Sequence, residues 1–335
     1  MSTIDSCTIQ AKSEDATRRT GSSLAKTIYT QPVTILLSGE LGAGKTTFVQ
    51  GLAAGLGIDD RVLSPTFALE QRYGNVLCHI DLYRLTSPEQ AHQVLEHSHD
   101  FPGIRIIEWP ERTTEQIDAG ITISIEETGQ SSRTIKCTFS DIAIPSDEEI
   151  LQWMDEVMLP ENIRLHTKAV AGVAHDIADA LIGQGRMIRP RALHAASLGH
   201  DLLRFINFKA PLQSEPIPNE EQRKLWDSIR LEFPERHEDA AAKFYAQRGF
   251  PEVGSMIRTH QGKPEEMNNS HVTIEQLALA YADKRIMFAE RISLDERFAY
   301  LKERYGAGEK KQGYEQRQET MKNVERSLFP DGPPF

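Results

Sequence analysis

Cysteine is scarce: Cys7, Cys78 and Cys137 are the three in 335 residues, and they share neither disulfide nor metal-ligand spacing. That excludes a disulfide-stapled scaffold and a thiolate zinc cluster, and it suits a reduced compartment. Long apolar runs are also missing. No stretch approaches the roughly 20 residues a membrane-spanning helix needs. The start, Met-Ser-Thr-Ile-Asp-Ser, has neither the basic nor the apolar block of a secretory leader. A cytoplasmic protein with no membrane partner is expected. Positive charge is in deficit, with 38 Lys and Arg against 49 Asp and Glu and a formal net charge of -11. A surface that coats nucleic acid through its phosphates is therefore excluded, although a local basic patch is not. No internal repeat is visible, and the length exceeds one ordinary core, so two domains are expected.

What the chain does contain begins with Gly39-Glu40-Leu41-Gly42-Ala43-Gly44-Lys45-Thr46, which fits G-x-x-x-x-G-K-[ST]. The apolar, β-branched run Val33-Thr-Ile-Leu-Leu37 precedes it, and Phe48, Leu52 and Leu56 follow at helical spacing. Strand, glycine loop and helix in this order wrap backbone N–H groups around phosphate at a positive helix end. The expected nucleotide contacts are Gly39, Gly42, Gly44, Lys45, Thr46 and Thr47, with Lys45 reaching the β/γ-phosphates and the Thr46 hydroxyl on Mg²⁺. A nucleoside triphosphate site also needs acidic groups for the cation and the attacking water. Asp81 and Glu108 each follow a strand-like run, where ligands of open α/β sheets gather. Either can supply the acid, and either can equally be a solvated loop residue. Thr66 in Ser64-Pro65-Thr66-Phe67 stands in the same position, as a magnesium-completing hydroxyl or a plain loop residue.

Residues up to about 144 alternate helix and strand, with strands expected at 33–37, 76–80, 104–108, 121–125 and 134–139. This predicts a largely parallel sheet with an antiparallel edge. Ser146 with Glu149 forms a capping-box signature after Pro145 and marks the start of a second, all-helical domain. Helical stripes follow at Val170, Val173, Ile177 and Leu181, from Pro190 through Leu198 and Leu202, and at Ile274, Leu277, Leu279 and Ile286. The prolines between 207 and 234 predict a long loop or lid. The predicted layout is an α/β domain over 1–144, a helical domain over 145–305, and a charged, disordered or loosely attached tail over 306–335.

Four segments carry a resemblance: Gly39–Thr47, Ser64–Phe67, His79-Ile-Asp81-Leu-Tyr83-Arg84-Leu85 and Ile107-Glu108-Trp109-Pro110-Glu111-Arg112. In this order and spacing they resemble the TsaE family, the small P-loop ATPase of bacterial tRNA threonylcarbamoyladenosine biosynthesis, over roughly residues 10 to 142. The resemblance implies ATP and Mg²⁺ as cofactors, Asp81 and Glu108 in the ATP/Mg²⁺ site, and Thr66 as a switch-like threonine. Trp109 is expected at the site margin. The resemblance also implies partners: the synthase subunits that transfer the threonylcarbamoyl group, and tRNA only indirectly through them.

In the second half, His166, the adjacent pair His200 and Asp201, His237, His260 and Asp283 follow one another at separations of about one helix and a connection. Separate helices can thus deliver imidazoles and carboxylates into one bundle interior, a ligand chemistry that suits Mn, Fe, Co or Zn. Taken singly, each His is more often a partly buried polar residue. Their contexts, including Leu198-Gly-His-Asp-Leu-Leu-Arg204 and Ala280-Tyr-Ala-Asp283, resemble the HD superfamily of metal-dependent phosphohydrolases over about 147 to 290. The resemblance implies a first metal set of His166, His200, Asp201 and Asp283, with Asp201 bridging to a second held by His237 and His260. It also implies Arg204 facing substrate phosphate, and a nucleotide or phosphoester substrate. Gly199 and the Leu-Leu after Asp201 depart from the commoner run, so no subfamily follows. His175-Asp176 falls on the opposite helix face, His194 reads as surface or packing, and Arg186, Arg189 and Arg191 read as a solvated or phosphate-facing loop. A non-hydrolysing nucleotide sensor for the second half and a P-loop kinase for the first remain open, though no arginine-rich lid segment follows Lys45.

Overall fold

The computed structural model describes residues 4–208, 217–305 and 310–335. They form two compact units: Ile4–Ile142 with Ala180–Arg189, and Ala143–Asp179 with Pro190 to the C-terminal end. The first unit contains β1 (Asp5–Ala11), α1 (Glu14–Leu24), β2 (Val33–Ser38), α2 (Lys45–Gly55), β3 (Glu70–Tyr73), β4 (Leu77–Asp81), α3 (Pro88–His97), β5 (Ile104–Glu108), β6 (Ile121–Glu127) and β7 (Arg133–Phe139). Its sheet runs β1-β7-β6-β2-β5-β4-β3. The inner strands β6, β2, β5 and β4 are mutually parallel, while β7, β1 and β3 pair antiparallel at both flanks rather than at one edge. The difference lies in β1 and β3, which were not anticipated: β1 is a polar-out alternation and β3 reads Glu-Gln-Arg-Tyr.

The inner strands are apolar on both faces because both are covered. Phe48, Val49 and Leu52 of α2 join Ile35, Leu37, Ile104 and Ile106 on one face, and Ala91 and Leu95 of α3 join Cys78, Ile80 and Ile107 on the other. Helices α1 and α2 touch backbone to backbone. A Cβ added at Gly21 would lie 2.1 Å from the Phe48 carbonyl oxygen, and one at Gly51 would lie 1.9 Å from that of Arg18.

Residues 180–189 belong with this unit, so the chain returns to it beyond the expected boundary at 144. Thr20 Oγ1 donates to Gly185 O at 2.8 Å. Arg189 is fully buried, contrary to the loop reading: it forks onto both Asp141 carboxylate oxygens at 2.6 and 2.9 Å and donates to Thr27 O at 2.8 Å. A guanidinium can be buried because a carboxylate of matching geometry neutralises it locally.

The second unit contains α4 (Asp147–Glu156), α5 (Glu161–Gly183, its last turn counted with the first unit), α6 (Pro190–Gly199), α7 (Glu220–Glu232), α8 (His237–Gln247), α9 (Pro251–Arg258), α10 (Pro264–Met267), α11 (Ile274–Lys284), the short hairpin β8 (Ile286–Met287) and β9 (Glu290–Arg291), α12 (Leu294–Tyr305) and α13 (Lys310–Leu328). The capping box of Ser146 and Glu149 opens α4, and Val170, Val173 and Ile177 are buried along α5. Three expectations change. The hairpin interrupts the all-helical reading. Helix α6 stops at Gly199, short of Leu202. The expected lid holds α7, capped by Asn219 with Gln222 and anchored by buried Trp226, which stacks on Phe205 at 4.7 Å. Pro211 and Pro216 lie outside the described residues. The tail is not loose over 310–328, where Met321, Val324 and Leu328 recur at helical spacing and are buried. Among the described residues no helix is long and apolar enough to cross a membrane.

Candidate functional sites

In the first unit, β2 hands the chain to α2 through a loop that only glycines can trace. Gly39 sits at φ 146° with Ile125 O 2.4 Å from where a Cβ would stand, and Gly44, the N-cap of α2, sits at φ 104°. Gly42, Gly44, Lys45, Thr46 and Thr47 line a pocket of about 310 Å³ together with Ser64, Thr66, Asp81, Tyr83, Glu108 and Trp109. Gly39 shapes the loop without lining the pocket. Lys45 Nζ donates to Gly39 O at 2.7 Å and Glu40 O at 3.1 Å, and lies 3.8 Å from the centre of the Trp109 ring. Burial pulls the Lys45 ammonium below the usual lysine range, against the opposing pull of Glu108 and Asp81.

The two acids meet because of sheet register. Parallel pairing of β4 with β5 sets Asp81 opposite Glu108, and the two-residue period turns both toward the α2-covered face. Asp81 Oδ2 accepts from Thr66 Oγ1 at 2.5 Å and Ser64 Oγ at 3.0 Å, and its Oδ1 accepts from the Tyr83 N–H at 2.9 Å. Glu108 Oε1 lies 2.8 Å from Nε2 of His79, and both residues are buried. His79 was not singled out from sequence, although its place two residues before Asp81 puts it on the same face. Trp109 occupies the left-handed region at φ 60° and packs on Tyr83 with ring centres 4.9 Å apart. The loop from Ser64 also presents Phe67, 83% exposed, under the Arg84 guanidinium at 3.9 Å.

In the second unit, α5 delivers His166, the turn after α6 delivers His200 and Asp201, α8 opens with His237, the residue pair after α9 includes His260, and α11 delivers Asp283. All six converge. Asp201 divides its oxygens between two groups. Its Oδ2 lies 4.0 Å from His166 Nε2 and 3.7 Å from His200 Nε2, and these imidazoles lie 3.1 and 3.7 Å from Asp283 Oδ1. Its Oδ1 lies 3.2 Å from His237 Nε2 and 3.6 Å from His260 Nε2, with the two Nε2 atoms 3.3 Å apart. A cation with donors at about 2.1 Å spaces neighbouring donors at about 3.0–3.4 Å. Two three-residue groups, His166 with His200 and Asp201, and Asp201 with His237 and His260, each bring their donor atoms within 4.8 Å of one another. The second is close to that spacing, and the first, at up to 4.0 Å, is wider, so an ion there would draw its ligands in.

The imidazoles are oriented for this. His200 Nδ1 donates to Ser197 O at 2.8 Å and His260 Nδ1 to Ile257 O at 2.7 Å, each to the carbonyl three residues back, while His237 Nδ1 faces Glu238 Oε2 at 2.9 Å. In each case Nε2 is turned inward. His200 Nε2 in the first group and Asp201 Oδ1 in the second are buried without a hydrogen-bond partner among the described residues, which suits an ion in each. Burial drives His260 down to about 4, so it is a neutral donor near pH 7. Burial also opposes charge on His200, but Asp201 and Asp283 outweigh it and raise its pKa. Burial favours the neutral form of Asp201 as well, yet His200 and Arg204 hold it well below the usual carboxylate range. Arg204 Nη1 lies 3.1 Å from His237 Nε2. His175 and Asp176 stay outside the cluster, His175 exposed and Asp176 paired with Arg291, and His194 pairs with Asp147 at 3.3 Å.

A family model described as "Threonylcarbamoyl adenosine biosynthesis protein TsaE" matches residues 11–135. Among similar proteins, "tRNA threonylcarbamoyladenosine biosynthesis protein TsaE" of Nostoc is 39% identical over 153 residues, 42% of this chain and 94% of its own length. Its namesake in Bacillus subtilis is 36% identical over 33% of this chain and 72% of its own length, and that of Aquifex aeolicus 35% identical over 37% and 90%. The crystal structure of Bacillus subtilus YdiB matches at 26% identity over 42% of this chain and 89% of that one, with a TM-score of 0.32. Through its first unit, with the glycine loop and the paired acids described above, this chain belongs to the TsaE family of threonylcarbamoyl adenosine biosynthesis proteins.

Proposed function

We propose that this protein is a cytoplasmic ATPase component of tRNA threonylcarbamoyladenosine biosynthesis that also carries an HD-type, metal-dependent phosphohydrolase. For the first unit, the reading is supported by family membership and by the convergence of the glycine loop, Thr66, Asp81 and Glu108 on one pocket. ATP lies along Gly39–Thr47 with its phosphates against Lys45. Thr46 and Glu108 hold Mg²⁺, His79 keeps Glu108 oriented, and Asp81 with Thr66 positions water or senses the γ-phosphate. Its partners are the subunits of the threonylcarbamoyl-transferring complex, and it meets tRNA only through them. Replacing Lys45 by Ala should weaken ATP binding at least tenfold in a titration calorimeter. Unchanged affinity would rule the reading out.

For the second unit, one observation carries the reading: a buried carboxylate, Asp201, is shared between two histidine groups, each with its donor atoms within 4.8 Å of one another. Mn, Fe, Co or Zn bound there would supply a Lewis acid and an activated water. His166, His200, Asp201 and Asp283 would hold one ion, and Asp201, His237 and His260 a second. Arg204 would meet the phosphate of a nucleotide or another phosphoester. Purified protein should contain divalent metal, and both His200→Ala and Asp201→Ala should abolish its phosphatase activity. Metal-free protein whose activity survives both substitutions would sink the idea.

A further inference from the structure

A second cavity of about 310 Å³ has His166 and Asp201 in its wall. Three guanidiniums line it, Arg204, Arg297 and Arg304, and Asp201 is the one carboxylate among its described lining residues. Arg297, Tyr300 and Arg304 lie at i, i+3 and i+7 on α12, so a single helix face presents two cations flanking a ring. Arg297 Nε is buried with no hydrogen-bond acceptor among the described residues. A buried guanidinium donor left unmet in the cavity wall suits an anionic ligand that extends beyond the metal ligands themselves.

The aromatic side of the cavity is equally specific. Phe288, in the β8–β9 turn, sits at φ 62°, a region that a bulky residue occupies only under strain, and it is 67% exposed. Its ring meets Tyr300 edge-on with centres 6.1 Å apart. Arg304 hydrogen-bonds the Tyr300 hydroxyl and steadies that ring. An exposed aromatic held at the cost of backbone strain, beside a row of cations, matches a ligand that joins a planar ring to a phosphate. The volume is at the low end for small-molecule pockets, roughly 300–1,000 Å³, which admits one nucleotide and not a strand.

Building on the phosphohydrolase reading above, we propose that this pocket selects mononucleotides and admits them phosphate first. The phosphate lies over Asp201 between Arg204 and Arg297, and the base rests on Phe288 and Tyr300. Hydrolysis then joins a water oxygen to phosphorus as the ester P–O bond breaks and a proton passes to the ribose oxygen, releasing nucleoside and inorganic phosphate.

The test uses the full chain with Mn²⁺ and compares nucleoside 5′-monophosphates, ribose 5-phosphate and a short oligonucleotide. Phosphate release is followed, and equilibrium binding is measured in a Lys45→Ala background so that the glycine loop does not contribute. A mononucleotide should exceed ribose 5-phosphate in kcat/KM by at least about tenfold, the scale of one base-stacking platform. Phe288→Ala should collapse that ratio, Phe288→Tyr should restore it, and Arg297→Gln should raise KM. Ribose 5-phosphate turned over as well as mononucleotides, with Phe288→Ala leaving the ratio intact, overturns the pocket assignment and leaves the phosphohydrolase standing. Mononucleotide binding that Phe288→Ala weakens about tenfold, without phosphate release from any compound, overturns the phosphohydrolase and keeps the pocket. Neither release nor binding overturns both.

Discussion

Gly51→Ala sets two familiar effects against each other. Inside a helix, alanine is favoured over glycine by about 1 kcal/mol. At Gly51 the new Cβ would stand 1.9 Å from the Arg18 carbonyl oxygen and 2.8 Å from its carbon, both backbone atoms that cannot rotate aside. Relief requires α1 and α2 to part by more than an ångström, and overpacking of this kind costs about 1–3 kcal/mol even where side chains can yield. With backbone on both sides the upper value applies, so a net loss of about 2 kcal/mol is expected. In a unit of this size that lowers Tm by roughly 4–8 °C. Because α2 opens with Lys45 and Thr46, ATP affinity should fall with it. Calorimetric unfolding of the full chain, resolving the transition that ATP and Mg²⁺ shift, reads both. Gly172→Ala is the internal control: it is mid-helix in α5, exposed, and a Cβ there meets nothing within 4 Å. It should stabilise by up to about 1 kcal/mol. If Gly51→Ala stabilises as Gly172→Ala does, the account of backbone contact between α1 and α2 is refuted.

Arg189→Met strands Asp141 and should cost about 3–5 kcal/mol, whereas adding Asp141→Leu to it should recover much of the loss; chemical denaturation of the wild type, the two single variants and the double variant decides. Arg204 donates toward the inward nitrogen of His237. Calorimetric Mn²⁺ titration should therefore show one tight and one weaker step, with Arg204→Gln strengthening the weaker roughly tenfold; identical isotherms would count against competition by the guanidinium. Burial favours protonation of Glu238, but the contact of its carboxylate with His237 Nδ1 at 2.9 Å outweighs this and holds it at about 2, below the ordinary 4.5. A depressed carboxyl stabilises the fold above pH 4.5 and loses that contribution as pH falls toward 2. The Tm gap between wild type and Glu238→Gln should thus be widest above pH 4.5 and close with acidification; a constant gap would contradict the shift.

Patterns that depend on neighbours in sequence were readable in advance. The glycine loop, the strands flanking it, the capping box at Ser146 and the stripe along α5 follow from local periodicity and backbone preference. Short polar strands such as β3 were not readable, because Glu-Gln-Arg-Tyr becomes a strand only through pairing with β4. Helix α13 was hidden by its charged composition, since the buried apolar residues Met321, Val324 and Leu328 weigh little in the average of a polar helix. Arg189 resembled a loop cation until Asp141 came beside it.

The same division holds at the sites. Residue types and order are enough to nominate Lys45, Asp81 and Glu108, and the six histidines and aspartates of the second unit, because each chemistry needs those groups at strand or helix ends. Spacing carries no information on which oxygen faces which imidazole. That Asp201 turns one oxygen to His166 and His200 and the other to His237 and His260 comes from helices far apart in sequence being packed at fixed separations. Sheet register likewise sets Asp81 beside Glu108 and brings in His79, and the strained turn at Phe288 joins α12 to form a cavity that no local pattern encodes.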